Sequence, residues 1–256
     1  MSSLQGRVAI VTGSSSGIGQ SIAKQLAADG ANIVINYIGA SDGAQETLKM
    51  VEAAGAEGVT IKADVSKVSE AQSLIDEAWK KFGFADILVN NAGVETKTFF
   101  LETKEEDFDR IMGVNLKGPF FVSQAFVRKM AAEQKPGRII NISSVHEDMA
   151  FPGFATYCIS KGGLRMLMRN LAVELGPIGI TINNIAPGAI ATPINKSLLE
   201  DKPKLNALLK QIPLNRLGSP ADVAALVSYL ASDAASYVTG ATYYVDGGLS
   251  RYYNEQ

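Results

Sequence analysis

Tyr157 and Lys161 stand four residues apart, thirteen residues after Ser144. Positions i and i+4 of an α-helix share a face, so this spacing can set an ammonium group beside a phenol. A free tyrosine titrates near pH ~10, and using it as a base near neutrality requires about 4 kcal/mol in favour of phenolate. One ammonium at ~4 Å in an effective dielectric of about 20 supplies an attraction of that order, and an oxidised nicotinamide would add to it. Ser144, at the end of a β-branched run, could hydrogen-bond a substrate oxygen and stabilise charge developing there. The chemistry this would serve is proton removal coupled to hydride transfer. The same spacing also occurs between ordinary surface residues, and Ser143-Ser144 could simply begin a turn.

A second group of residues suits an anion. Thr12-Gly13-Ser14-Ser15-Ser16-Gly17-Ile18-Gly19 follows an apolar run directly. In a strand-turn-helix, one glycine permits the tight turn, one lets a pyrophosphate approach the backbone, and one lets the helix pack on the sheet. Gly13, Gly17 and Gly19 can fill those jobs, with Ser15, Ser16 and Ile18 lining the turn, although their spacing differs from the commoner G-x-G-x-x-G. Dinucleotide choice is read after the second strand, at Asn36-Tyr37, and no carboxylate occurs there before Asp42. No Lys or Arg lies between Lys24 and Lys49 either, which leaves the hydroxyls of Ser14, Ser15 and Ser16 as donors. NADP and NAD both remain possible, with a lean to NADP. Asp64, with Val65 beside it, could accept from an adenine amino group or could be a turn residue. Asn91, Ala92 and Gly93 fall at the carboxyl edge of a strand, where such folds bind ligands.

The elements that must position these groups are legible from periodicity. Short runs at 8–11, 33–36, 59–63, 87–89, 138–142, 181–185 and 242–245 read as strands, most of them apolar throughout. Strands buried on both faces imply a parallel sheet covered by helices. Helical stretches alternate with them: one from Gly17 to about Asp29, one from near Ser69 to Gly83, and a late one with Ser219 as N-cap and Pro220 at N1. The expected fold is a single α/β domain over 1–256, a doubly wound Rossmann fold with a parallel seven-stranded sheet. The stretch at about 194–217 breaks the rhythm and is placed to act as a substrate lid.

Composition narrows the options. Of 256 residues 46% are apolar, and the net charge is −2 with both signs interspersed. No basic stripe suggests nucleic acid or an anionic membrane. One cysteine, Cys158, and one histidine, His146, exclude an internal disulfide and leave too few soft ligands for a zinc site, so no metal is expected. No apolar leader or membrane span is apparent, and a soluble cytoplasmic protein is expected. Cys158 follows Tyr157 on the helix and reads as packing.

With these residues in order, 7–250 resembles a classical short-chain dehydrogenase/reductase: Thr12-Gly13-x-x-x-Gly17-x-Gly19, Asn90-Asn91-Ala92-Gly93, Asn115, Ser144, Tyr157-x-x-x-Lys161 and Pro187-Gly188. The resemblance implies that Tyr157 is the general acid/base and that Lys161 lowers its pKa and holds the cofactor ribose. It likewise implies that Ser144 orients the substrate oxygen and that Asn115 anchors a proton-relay water. Pro187, Gly188 and Ile190 would border the cofactor, and Thr192 would meet the nicotinamide carboxamide. The segments 90–95, 143–147 and 188–195 are similar to those of bacterial glucose 1-dehydrogenases, where Glu95 and His146 could bind sugar hydroxyls. The expectation is oxidation of an aldose such as glucose at C1 to its lactone. The alternatives are a 3-oxoacyl-acyl-carrier-protein reductase or other carbonyl reductase, with Arg128, Lys129, Arg165 and Arg169 as its docking surface, and a non-catalytic nucleotide-binding protein. By resemblance, the assembly would be a homotetramer built through helices at about 103–132 and 157–175, plus the last helix and strand.

Overall fold

The computed structural model describes residues 4–193 and 200–251. Seven strands form one parallel sheet in the order β3-β2-β1-β4-β5-β6-β7. They are β1 (Val8–Val11), β2 (Asn32–Tyr37), β3 (Gly58–Lys62), β4 (Ile87–Asn90), β5 (Gly137–Ile142), β6 (Ile180–Pro187) and β7 (Thr242–Val245). All seven expected strands are present, and β6 runs beyond its expected ends because Pro187 still pairs with Val245 at the sheet edge. Strand order reverses between β1 and β4, so the crevice at their carboxyl ends is the switch point of the doubly wound fold.

The helices are α1 (Gly17–Ala28), α2 (Asp42–Ala53), α3 (Val68–Phe82), α4 (Glu105–Met112), α5 (Gly118–Glu133), α6 (Ala155–Leu175), α7 (Lys202–Leu209) and α8 (Pro220–Ala231). Successive strand side chains point to opposite faces. Ala9 and Val11 therefore join one apolar cluster with Ile22, Leu26 and Val227, while Val8 and Ile10 join another with Leu74, Phe126 and Met168. Helix α8 begins as its sequence predicts. Ser219 Oγ accepts from Asp222 N, Asp222 accepts from Ser219 N, and Pro220 occupies the first turn. No helix among the described residues is long and apolar enough to cross a membrane.

A polar ladder crosses the middle of this apolar sheet. Asn90, Asn141 and Asn184 occupy register-matched positions on β4, β5 and β6. Asn90 Nδ2 donates to Asn141 Oδ1 (2.9 Å), Asn141 Nδ2 to Asn184 Oδ1 (3.0 Å), and Asn184 Nδ2 to Glu147 Oε2 (3.1 Å). Removing the central amide strands a donor on one side and an acceptor on the other. Asn141→Leu is therefore expected to cost about 2–4 kcal/mol, read as a lower urea midpoint with unchanged m-value. A midpoint equal to that of the parent would show that the ladder carries no stability.

The chain between β6 and α8 leaves the sheet through a neck. Ile190 and Gly218 form an isolated parallel bridge, with Ala191 N donating to Gly218 O (2.8 Å) and Gly218 N to Ala189 O (2.9 Å). Of the expected lid at about 194–217, residues 194–199 lie outside the described residues. The remainder carries α7, whose Lys204 and Leu208, with Gln211 just after it, border the cleft described next.

Candidate active site

The carboxyl ends of the central strands open into one cleft of about 2010 Å³. Gly13, Ser15, Ser16, Gly17, Ile18 and Gly19 line one end of it. Gly13 has φ 61°, and a Cβ there would stand 2.9 Å from Ala92 Cα. A Cβ on Gly19 would collide with Asn91 Nδ2 and lie 2.5 Å from Gly13 O. The turn is stapled to β4: Asn91 Nδ2 donates to Thr12 O (2.9 Å) and Gly13 O (3.0 Å), and Asn91 N and Ala92 N both donate to Thr12 Oγ1. The N-cap Ser16 makes no side-chain cap bond, so the first N–H groups of α1 are left for a ligand.

The remaining cofactor candidates divide. Asp64, Val65, Asn91, Ala92 and Gly93 border the cleft. So do Pro187, Gly188, Ile190 and Thr192, the last reaching within 3.9 Å of where a Gly17 Cβ would stand. Asn36 borders it too, but its amide is already spent: Oδ1 accepts from Gly13 N (3.1 Å), and Nδ2 donates to Ala63 O (3.0 Å). Tyr37 is not among the lining residues; it packs against the core, and Ile38 takes the lining place. Ser14 corrects an expectation outright. It is fully buried and its hydroxyl donates to Val11 O (2.8 Å), so it offers nothing to a phosphate. Asp64 Oδ1 accepts from Ser66 N and Oγ, which is a turn arrangement at the entry to α3.

Tyr157 and Lys161 both lie on α6 and both line the cleft. Lys161 Nζ stands 5.6 Å from the centroid of the Tyr157 ring and donates to Ile142 O (3.0 Å). Ser144 follows β5 by two residues; its hydroxyl accepts from His146 N (3.2 Å) and favours the ionised phenol. Asn115 sits buried in a π-turn at Gly113–Lys117 between α4 and α5. There its Oδ1 accepts from Val94 N (2.9 Å), and Nδ2 donates to Val94 O (2.8 Å) and Ser160 Oγ (3.2 Å). The π-turn was not legible in the sequence; such wide turns recur where a helix must aim a side chain.

The electrostatics depart from the sequence expectation. Burial pushes the Tyr157 phenol above its ordinary range; the Ser144 hydrogen bond opposes this, and the Glu95 carboxylate adds to it. Lys161 is pulled down to about 8 by burial, against the attraction of Glu147 and Glu95. The ammonium alone therefore does not bring the phenol near neutrality, because desolvation of a buried phenolate outweighs one cation at this range.

Glu95 and His146 reach the same cleft. Glu95 faces open space yet is flanked by protein, and that desolvation raises its pKa while His146 and Lys161 draw it down. His146 Nδ1 lies 3.0 Å from Met149 O, a contact that a proton on Nδ1 makes a hydrogen bond and that leaves Nε2 unclaimed. Its ring stacks on Phe154 (6.0 Å, 8°) and meets Tyr157 edge-on (5.9 Å). Phe120, Phe121, Phe151 and Phe154 line the cleft as well. These aromatics went unread in the sequence, where the only signal was their density around 151–154.

A family model described as enoyl-(acyl carrier protein) reductase matches residues 13–250. The chain belongs to the short-chain dehydrogenases/reductases and is an NAD(P)-dependent oxidoreductase acting on CH–OH groups. It is 43% identical over 249 residues to 3beta-hydroxysteroid dehydrogenase 1 of Eggerthella lenta, covering 97% of this chain and 95% of that one. To glucose 1-dehydrogenase 2 of Bacillus subtilis it is 41% identical over 250 residues, covering 97% and 96%. A gluconate 5-dehydrogenase from Burkholderia cenocepacia, solved with NADP and tartrate, superposes with a TM-score of 0.92 at 36% identity over 98% and 97% of the two chains.

Proposed function

We propose that the protein oxidises an aldose such as glucose at C1 to its lactone. The observation that carries this reading is the convergence of Glu95 and His146 on the cleft wall that holds Ser144 and Tyr157. A sugar presents a ring of hydroxyls, and a carboxylate plus a free imidazole nitrogen are acceptors for them that an apolar alcohol would leave unpaired. Phe154 and Phe151 would pack against the apolar face of the sugar ring.

The residues present fit a dinucleotide: a turn closed to a Cβ at Gly13 and Gly19, and an uncapped helix start facing the cleft. When bound, the nicotinamide supplies the hydride acceptor and a positive charge beside the phenol. Tyr157 takes the hydroxyl proton, Ser144 holds the substrate oxygen, and Lys161 stabilises the phenolate from the same helix face. Asn115 fixes Val94 and with it the loop that carries Glu95. The preferred cofactor is NADP, because β2 ends without a carboxylate that would repel a 2′-phosphate. A homotetramer fits exposed Ile159, Met166 and Val173, which recur every seven residues along α6.

A second reading is a bulky apolar ring alcohol, favoured by the four phenylalanines that line the cleft. The acyl-carrier-protein alternative is weakened, since two of its proposed docking cations are already engaged: Lys129 with Asp76 (2.7 Å) and Arg165 with Asp148 (2.8 Å). A panel of aldoses, gluconates, hydroxysteroids and an acetoacetyl thioester, run with NAD and NADP, separates these. On the sugar reading, Glu95→Ala and His146→Ala each lower kcat/KM for glucose by about ten- to hundredfold, chiefly through KM. Sugar kinetics unchanged in both variants would end the assignment.

A further inference from the structure

Among the described residues, Glu147 is the one buried carboxylate near the reacting groups that none of the roles above uses. Its side chain is wholly enclosed, on the short turn that also carries Ser144 and His146. Oε1 accepts from Thr242 Oγ1 on β7 (2.6 Å), and Oε2 accepts from Asn184 Nδ2 on β6 (3.1 Å). Arg165 Nε approaches Oε1 at 3.5 Å. Arg165 is one helical turn beyond Lys161, so the carboxylate lies along the face of α6 that presents the catalytic ammonium.

We propose that Glu147 is a positioning residue of the reaction: its carboxylate ties the turn bearing Ser144 and His146 to β6 and β7 and sets a negative charge on the Lys161 face of α6. The tether and the charge have separate sources of support. Three elements clamp the carboxylate, and the asparagine ladder gives it a fixed place at the end of a chain of amides that cannot slide. The charge attracts Lys161, for which Glu95 from the loop after β4 is the other acidic neighbour among the described residues. Around this pair stand Tyr157 on the same helix, Arg165 and Asp148 beside Glu147, and Tyr244 and Arg251 behind Asp148. A buried ammonium discharges more readily when its counter-charge is removed, and a discharged Lys161 no longer stabilises phenolate.

The proposal rests on Tyr157 and Lys161 as the proton-transfer pair, and the test keeps the two apart. In Glu147→Gln the side chain keeps its volume and an acceptor oxygen while losing charge. The alkaline limb of kcat is expected to move to lower pH, with kcat near pH ~9 falling on the order of tenfold and KM nearly unchanged. Arg165→Gln removes the cation that offsets the carboxylate, and its limb is expected to move the opposite way. Thr242→Val breaks one tether, leaves the charge, and is expected to lower Tm without moving the limb. Equal losses at every pH in Glu147→Gln, or shifts of the same sign in Glu147→Gln and Arg165→Gln, would overturn the proposal. If Glu147→Gln does not fold, the Arg165→Gln profile decides alone: an upward limb supports the charge, and an unmoved one refutes it. Wild-type turnover in Tyr157→Phe would instead defeat the underlying pair.

Discussion

Tyr157→Phe is expected to lower kcat by about a thousandfold or more while leaving dinucleotide affinity within about twofold. The ring is held by packing that does not need the hydroxyl: His146 meets it at 5.9 Å and Phe154 at 6.3 Å, both edge-on. Only the group that takes the proton disappears, and with it the polar partner that Ser144 faces. The phenol stands above its ordinary pKa in the free chain, so it must be brought down when substrate and oxidised cofactor bind. Activity should therefore rise with pH through the phenol's titration in the complex, and the residual activity of the variant should lack that rise. Stopped-flow turnover across pH and a fluorescence titration with NADP measure the two effects. Turnover within tenfold of the parent would remove Tyr157 from the mechanism.

The second large effect is expected at the glycine turn. In an ordinary helix, Gly→Ala stabilises by up to about 1 kcal/mol. At Gly19 the sign reverses, because the added methyl meets Asn91 Nδ2 and Gly13 O, and both are parts of the staple joining β1 to β4. Neither can yield without displacing the N–H groups that face the ligand. Gly19→Ala is expected to weaken dinucleotide binding about a hundredfold, or about 2.7 kcal/mol, and to lower Tm. Gly162→Ala, inside α6 with Glu147 O 3.8 Å from the added methyl, is the control and should be neutral or stabilise by up to about 1 kcal/mol. Unaltered NADP affinity in Gly19→Ala would show that the turn is not the anion site.

What the sequence disclosed was periodic or paired at short range. Uninterrupted apolar runs marked the strands, Ser219-Pro220 marked the start of α8, and the i, i+4 spacing put Tyr157 and Lys161 on one helix face. What it concealed depended on partners far along the chain. Ser14 looks like its neighbours until the turn buries it against Val11, and Asn36 looks like a ribose ligand until Gly13 and Ala63 claim its amide. The strength of the Tyr157–Lys161 interaction could not be read from spacing, because burial, which spacing does not report, dominates both groups. The asparagine ladder did leave a trace. Asn141 lies between Ile140 and Ile142, and Asn184 comes just before Ile185, so a polar residue at either place needs a buried partner. Naming that partner as Glu147 required the register of β5 on β6.

The bridge between Ile190 and Gly218 has a consequence for how such a protein changes. Everything hanging beyond that pinch can be lengthened, shortened or exchanged without altering how the sheet is threaded, because both ends return to the same point. Transplanting the loop between relatives should therefore leave the sheet, the glycine turn and the Tyr157–Lys161 pair where they are.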